Sequence, residues 1–521
     1  MAICPIPIPG LLWEQFAYYK KRAKGVRHGG LFFIGIRERS FKTKACFKCM
    51  GTWCIIDVNF KVKGESVMRK AIILAAGEGT RMKSKYSKAL FSILNKPIIQ
   101  YVTDVIKEAG IEEYILIAGK NLEDLKNLYG DEARYAVQEI GPGKPYGTGY
   151  AAKLGLDFIQ DEDSVLILCA DAPLFQPEGL KALMNHREKN KEAARCYAAR
   201  LENPFGYGRM IYKGDKLIKI VEEKDADQEE KKVNLVNSGV HAFEGKALKF
   251  ALGKLSVDNA QGEYYLTDAI EILLKQGEKV GLDVLKDSSE MMGVNSKVQL
   301  AQVENILRKR VNEEYMLQGV ILENPDRIFI QPGVVIGRDT RIEAGCRITG
   351  ETVIGEDSSI ESGSIISNCR IGNNVRIRQS VLEDSVLEDN VDIGPFAHLR
   401  PKAYLKKKVH VGNFVEVKNA TMGEGAKAGH LAYIGDAELK GDNNIGCGVI
   451  FVNYDGKNKH RSVVEKGAFI GSNANIVAPV HIGEDAYIAA GSTITKDVEK
   501  KALALERSEQ KIVMDWVERK R

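Results

Sequence analysis

Between Phe469 and Thr495 isoleucine returns every sixth residue, at Ile470, Ile476, Ile482, Ile488 and Ile494, with glycine following at Gly471 and Gly483. A helix needs apolar spacing near 3.6 and a strand near 2, so a period of six fits neither alone. It fits a coil of three short flat strands per turn, one side chain per strand pointing into a narrow prism and small residues at the corners. The same period runs through Ile336, Ile342, Ile348, Ile354, Ile360 and Ile366, drifts at Ile371 and Ile377, and returns around Val411 and Val417. A β-sandwich would match such a register only by chance. The sequence therefore predicts a solenoid from about 328 to 500, whose outward faces serve for stacking subunits and for building sites.

Departures from the hexads are where sites are expected. Pro395–Pro401, which holds His398 and Arg400, reads as an interruption of the first block. Val415–Lys418 and Ala428–Asp436 follow, the latter containing His430 and Tyr433. Val452–His460 is a loop too polar for the coil.

A chain of 521 residues exceeds one compact core, so further domains are expected. Upstream of the solenoid, apolar runs (Ala71–Leu74, Tyr114–Ala118, Val165–Cys169) alternate with helical patterns (Pro97–Ala109, Leu122–Leu128). Continuous apolar strands between helices imply a parallel sheet covered on both faces, with ligands at the carboxyl ends of the strands. Ser296-Lys297-Val298-Gln299 has the form of a capping box, and Leu300, Val303, Leu307 and Val311 continue at helical spacing. This predicts a connector over 296–327 between a sheet domain (68–295) and the solenoid domain (328–521).

Residues 1–67 differ from the rest. They hold 12 of the 75 Lys and Arg but only 4 of the 70 Asp and Glu, which leaves the remainder with a net charge of −3. A nucleic-acid partner for the body of the protein is therefore not indicated. The segment lacks the form of a signal peptide. Its Cys46-Phe47-Lys48-Cys49, with Cys54 nearby and Cys4 far off, is a partial zinc pattern. We expect this extension to be disordered or loosely packed, outside the core fold, with translation beginning at Met68. No apolar run reaches the roughly 18 residues of a membrane span. Nine scattered cysteines fit reduced thiols and a cytoplasmic location.

The first strand runs into Leu74-Ala75-Ala76-Gly77-Glu78-Gly79-Thr80-Arg81-Met82, with Lys88 beyond it. Glycines let backbone N–H groups approach phosphates without a Cβ collision, and Arg81 can neutralise them. Glycine spacing alone fits an ordinary tight turn equally well. Asp171, just past Val165–Cys169, stands where a Mg²⁺ ligand is useful, and it could equally make an Asx turn ahead of Pro173.

Taken together, LAAGEGTRM, Lys88, ADAPL, GYGR, VEEKDA, NSG and NAQGEYY, in this order, resemble the sugar nucleotidyltransferases. The likeness is to the bifunctional N-acetylglucosamine-1-phosphate uridylyltransferase/glucosamine-1-phosphate acetyltransferase family and covers 68–507. It implies an α/β nucleotidyltransferase domain, Rossmann-like with a mostly parallel sheet, followed by a left-handed parallel β-helix of hexapeptide repeats. In the first domain, Leu74, Ala75, Ala76, Gly77, Gln138, Gly147 and Thr148 would hold the uridine nucleotide. Arg81 and Lys88 would face its phosphates, and Asp171 and Asn259 would bind Mg²⁺. Gly208, Glu222 and Asn237 would hold the amino sugar. Ser87 departs from the proline common in the family.

In the β-helix, the resemblance makes His430 the general base for acetyl transfer. Arg400, Lys418, Tyr433, Asn444 and Lys459 would bind glucosamine 1-phosphate. Asn453, Tyr454, Ser472, Ala490 and Arg507 would contact acetyl-CoA. It implies a cytoplasmic homotrimer whose substrates are UTP, glucosamine 1-phosphate, N-acetylglucosamine 1-phosphate and acetyl-CoA, with neither nucleic acid nor membrane as partner. Two other readings are a nucleotidyltransferase whose solenoid is only a scaffold, and a regulatory subunit with a degenerate pocket. His430 among Arg, Lys and Tyr argues against the first; intact Arg81, Lys88 and Asp171 argue against the second.

Overall fold

Arg69–Leu74 (β1) is a six-residue strand whose apolar centre is buried on both faces. It lies between two others of the same kind, Glu113–Ala118 (β2) and Ser164–Cys169 (β4), and pairs in parallel with each. Arg134–Val137 (β3) extends the parallel side beyond β2. Ala194–Arg200 (β5), Arg209–Lys213 (β6), Lys216–Val221 (β7), Leu235–Glu244 (β8) and Val280–Val284 (β9) complete a nine-stranded sheet. β8 joins this second half to β4 in antiparallel register. Sequence reading found the parallel centre but not this antiparallel extension. Two apolar layers cover the sheet, one around Ile73, Val102, Leu116 and Leu180, the other around Ile72, Ile167, Phe243 and Ile270.

The computed structural model describes residues 41–49, 52–60, 67–77, 79–214 and 216–520. The chain divides into two units, Met1–Met68 and Arg69–Arg521. In the first, Phe41–Cys49 and Thr52–Phe60 pair as an antiparallel hairpin. Cys46 and Cys49 fall on one strand and Cys54 on the other; Cys4, and with it the zinc reading, lies outside the described residues.

Helices Ile98–Glu108 (α1), Leu122–Tyr129 (α2), Thr148–Leu154 (α3), Pro177–Asn190 (α4), Gly245–Gly253 (α5) and Asp268–Lys275 (α6) flank the sheet strands in sequence. Lys297–Leu317 (α7) is the connector. Ser296 Oγ accepts the Gln299 N–H at 3.2 Å, and Gln299 Oε1 accepts the Asn295 N–H at 3.0 Å, so the capping box closes one residue earlier than its ideal form. Val303 and Leu307 bury against Met82, Ile98 and Leu174 of the sheet domain, and Tyr315 donates to Val334 O at 2.6 Å in the first coil of the solenoid.

From Ile321 onward, short parallel strands pair with every third strand along the chain, building three flat sheets of 11, 10 and 9 strands around one core. Ile342, Ile360, Ile377 and Ile393 stack directly along one sheet, and Ile470, Ile476 and Ile488 are fully buried. Each such side chain contributes roughly 1.5–3 kcal/mol of burial. Small buried residues sit two places before these isoleucines, as at Thr340, Ser358 and Ser364. Their hydroxyls donate to backbone carbonyls, Thr340 to Gly355 O at 2.7 Å. Other corner residues adopt positive φ, supplied by Asn and Asp at Asp339, Asn374, Asn390 and Asp485. Pro395–Pro401 does not break the coil: Leu399 is buried between Leu382 and Val417 in unbroken register. Val452 stays in the coil, paired with Val477, but Asn453–His460 does leave it, and a Tyr454–Lys459 bridge closes the excursion into a compact loop.

His241 of β8 is buried beneath the sheet beside Phe243, and its Nδ1 has no hydrogen-bond partner among the described residues. Burial pushes its pKa down from 6.5 to about 4. A depressed folded pKa means the unfolded chain takes up the proton first, so stability present above pH 6.5 is lost as pH falls toward 4. The expected loss is about 3 kcal/mol. Urea unfolding at pH 7 and pH 4.5 measures it. A His241→Gln variant, which cannot titrate, should lose less over that range; equal losses would assign the acid sensitivity to other groups.

Candidate active sites

The strand ends that carry the first site are tied together by their backbones. Ala75 N–H donates to Ile117 O at 2.9 Å, Ala170 N–H to Leu74 O at 3.0 Å, and Gln138 N–H to Ala118 O at 2.8 Å. Leu74, Ala75, Ala76 and Gly77, Gln138 and Asp171 therefore gather at the carboxyl edge of the parallel strands. Gln138 is 4% exposed and its Nε2 has no partner among the described residues. An unmet buried donor costs about 1–3 kcal/mol, which a ligand carbonyl would recover. A cavity of about 460 Å³ opens beside it, lined by Gly119, Gln138, Ile140 and Lys144. A second, of about 640 Å³, is lined by Ala76, Gly77, Ser87 and Asn121 among others.

Gly147 has φ 117°, and a Cβ there would lie 2.4 Å from Tyr264 O. The turn Gly147-Thr148-Gly149 is thus pressed against the NAQGEYY segment, and Thr148 Oγ1 accepts the Leu266 N–H at 3.1 Å. That segment is tied in turn to VEEKDA, where Asp225 accepts the Ala260 N–H at 2.8 Å.

Lys88 forms an ion pair with Asp171, whose side chain is only 10% exposed. Ser87 adopts φ −61°, ψ 136°, a φ that proline would fix, and its Oγ accepts from Asn121 Nδ2 at 3.0 Å. The loop before Lys88 thus holds its shape without proline. Arg81 is exposed and donates to Asn295 Oδ1 at 2.9 Å. Asn295, which sequence reading missed, also accepts from Lys88 at 3.3 Å.

The three residues assigned to the sugar meet on the antiparallel half. Asn237 N–H donates to Gly208 O at 2.8 Å, and a Cβ on Gly208 would lie 3.3 Å from the Glu222 carboxylate. Asn237-Ser238-Gly239 is a bulge in β8, where pairing with β5 skips two residues; Gly239 takes φ 80°. Burial raises the Glu222 pKa, opposed by the Thr267 hydroxyl donating at 3.0 Å. Asn259 is engaged in its own turn: Oδ1 accepts from Gln261 N at 3.2 Å and Glu263 N at 3.3 Å.

On the solenoid, Arg400, Lys418 and Tyr433 lie on the ten-stranded face in successive coils. The positive charge of Arg400, then that of Lys459, holds the Lys418 pKa below its usual value. Three cations thus share one neighbourhood. Arg400 is anchored by Glu416 at 2.7 Å. Asn453 is buried; its Nδ2 donates to the Tyr433 hydroxyl at 3.4 Å and to Asp436, which also receives Asn419. This tethers the loop carrying Tyr454 and Lys459 to the cationic face.

His430 ends a strand, exposed, with Asn413 paired to it one coil earlier. Asn413 Oδ1 lies 2.5 Å from His430 Nδ1. A carbonyl oxygen only accepts, so Nδ1 carries a proton, and in the neutral imidazole Nε2 then keeps the lone pair that a base needs. Asn413 escaped sequence reading because its partner lies 17 residues on, a distance set by the coil. Ser472 and Ala490 occupy the same corner of the prism as His430 in later coils, and Arg507 Nη1 donates to Ala490 O at 3.2 Å. Successive coils stand about 4.8 Å apart along this edge. Asn444 lies on the adjoining eleven-stranded face, paired with Lys427 and Phe469.

The family described as Nucleotidyl transferase matches residues 70–289, and that described as Bacterial transferase hexapeptide (six repeats) matches residues 461–496. Three curated relatives, each named Bifunctional protein GlmU, match most of the chain. That of Clostridioides difficile is 47% identical over 453 residues, covering 87% of this chain and 98% of its own. That of a Geobacillus species is 46% identical, covering 87% and 98%. That of Caldanaerobacter subterraneus is 46% identical, covering 86% and 97%.

Proposed function

Because this chain belongs to the bifunctional GlmU family, and so carries both the acetyltransferase and the uridylyltransferase of UDP-N-acetylglucosamine synthesis, we propose that each reaction has its own site. The acetyl site lies on the prism, which is the left-handed parallel β-helix of hexapeptide repeats. The uridylyl site lies on the sheet domain, 68–295, with 296–327 as connector and 328–521 as the acetyltransferase domain. The observation that supports this reading is the His430–Asn413 pair, on the same solenoid as the Arg400, Lys418 and Lys459 cluster. A scaffold solenoid has no use for such a constellation.

In acetyl transfer, the cation cluster holds the phosphate of glucosamine 1-phosphate. His430 Nε2 takes the proton from the sugar amine as the nitrogen attacks the thioester carbonyl, and coenzyme A leaves as the thiol. Tyr433 and Asn444 orient the sugar. Asn453, Tyr454, Ser472, Ala490 and Arg507 contact acetyl-CoA.

In uridylyl transfer, the phosphate of N-acetylglucosamine 1-phosphate attacks the α-phosphate of UTP and pyrophosphate leaves. Gln138 with the Leu74–Gly77 loop, Gly147 and Thr148 holds the uridine. Arg81 and Lys88 meet the phosphates, and Gly208, Glu222 and Asn237 hold the sugar. Positioning and electrostatic stabilisation supply the rate. Asp171 would hold a Mg²⁺ ion, with Asn259 Oδ1, now accepting two long backbone bonds, as the other protein oxygen. The ion would neutralise phosphate charge.

The protein is proposed to work in the cytoplasm as a homotrimer; no helix among the described residues is long and apolar enough to cross a membrane. The test is product formation by the purified protein. UDP-N-acetylglucosamine should appear from glucosamine 1-phosphate, UTP and acetyl-CoA, and fail to appear when acetyl-CoA is withheld. Subunit sharing of the acetyl site is tested by mixing inactive His430→Ala and Arg507→Ala proteins under subunit exchange. Activity should return. A monomeric mass with full acetyl transfer would overturn the trimer.

A further inference from the structure

Asn121 stands in the turn that follows β2, buried, and its carboxamide bonds to three separate stretches of chain. Oδ1 accepts the Gly119 N–H at 3.0 Å. The two amide hydrogens on Nδ2 then point the other way. Nδ2 donates to Ala75 O at 3.2 Å and to Ser87 Oγ at 3.0 Å. Ala75 belongs to the loop after β1, and Ser87 immediately precedes Lys88. One side chain thus ties the ends of β1 and β2 to the start of the Lys88 turn. Gly119 permits the close approach, since a Cβ there would lie 2.9 Å from Ala76 O.

Lys88 depends on both ends of this tie. A Cβ on Gly79 would lie 3.3 Å from Lys88 Cβ, and one on Gly77 3.6 Å from Lys88 Cε, so the lysine stem crosses the glycine loop on its way to Asp171. Its origin is set by the backbone at Ser87, where φ −61° and ψ 136° lead into the Lys88–Leu90 turn. Leu90 N–H donates to Ser87 O at 3.1 Å within that turn, and the Asn121 bond joins Ser87 to the sheet. A serine is free to leave this φ, whereas a proline ring is not. The Asn121 bond supplies from outside the constraint that a ring would supply from within.

We propose that Asn121 is a positioning residue of uridylyl transfer: by holding Ala75 and Ser87 on one amide group, it sets the separation between the loop that binds the nucleotide and the lysine that meets its phosphates. The proposal rests on the reading of Leu74–Gly77 and Lys88 as nucleotide ligands. Asn121 acts through Ala75 and Ser87 and is not itself assigned a contact with UTP.

The test is steady-state uridylyl transfer by the full-length protein, with UTP varied, and acetyl transfer measured on the same samples below every Tm. Asn121→Ala should lower kcat/KM for UTP by about 10–100-fold, as expected when a charged group is misplaced by an ångström or so, and leave acetyl transfer unaltered. It also leaves the Gly119 N–H unmet, so Tm should fall. Ser87→Ala cuts only the outer bond and should lose roughly 2–10-fold, the size of one neutral hydrogen bond. Ser87→Pro fixes the same φ covalently and sacrifices no bond, because the Ser87 N–H makes none among the described residues. Added to Asn121→Ala, it should recover at least about 3-fold in kcat/KM for UTP, which restored stability alone would not give at a temperature where both proteins are folded. An Asn121→Ala enzyme with normal kcat/KM would overturn the proposal, as would a Ser87→Pro change that recovers nothing. Should Asn121→Ala fail to fold, the comparison of Ser87→Ala with Ser87→Pro decides: equal losses overturn the proposal. Lys88→Ala separates the two readings. If it is impaired while Asn121→Ala is not, or if Ser87→Ala costs as much in its background as in the unaltered enzyme, only the positioning role fails. If Lys88→Ala is unimpaired, the phosphate-site reading fails and takes the Asn121 role with it.

Discussion

Replacing His430 with alanine is expected to slow acetyl transfer by about 10²–10⁴-fold, the usual contribution of a well-placed general base, while uridylyl transfer continues at its normal rate. The asymmetry follows from placement. His430 is exposed at a corner of the prism, where it is hydrogen-bonded to Asn413. Its removal leaves no buried group unsatisfied and touches nothing on the sheet domain. Asn413→Ala should give a smaller loss of the same kind, because the imidazole would remain but its Nδ1 proton would no longer be fixed. Separate assays of the two half-reactions check both outcomes. Near-normal acetyl transfer in the His430→Ala protein would remove the histidine from the mechanism.

Asp171→Ala is expected to do the reverse, lowering uridylyl transfer on the order of 10²–10³-fold and sparing acetyl transfer. Asp171 lies just past a buried parallel strand, its carboxylate almost wholly enclosed and ion-paired with Lys88. Alanine would leave Lys88 with Asn295 as its acceptor and would remove the buried anionic oxygen of the site. Breaking a buried pair by deleting one partner also costs about 3–5 kcal/mol at full burial; with Lys88 21% exposed the cost here is smaller, so a lowered Tm is expected as well. Asp171→Asn, which keeps the volume, should recover stability and not activity. Loss of both activities in a folded Asp171→Ala protein would show that the two sites are not independent.

The sequence by itself determined the prism. A period of six has one good structural solution, and the isoleucines from Ile336 to Ile366 and from Ile470 to Ile494 are buried as that solution demands. Local chemistry also determined β1, β2 and β4, whose uninterrupted apolar runs can only be covered on both faces, and the cap at Ser296. Pro395–Pro401 misled, because prolines and glycines read as a break where the coil tolerates them at its corners.

The tertiary structure decided the partners. Asn413 meets His430 only because one coil of parallel strands brings them into register, and Asn295 reaches Arg81 across 214 residues because Val294 is bonded to the end of β4. The bulge at Asn237, the loop of Asn453 folded back on Tyr433, and Gln138 Nε2, without a partner among the described residues, belong to the same class. Periodicity and propensity act between near neighbours and so can be read from a string of residues. Hydrogen bonds between distant side chains depend on strand register and backbone anchoring, which exist only once the chain has folded.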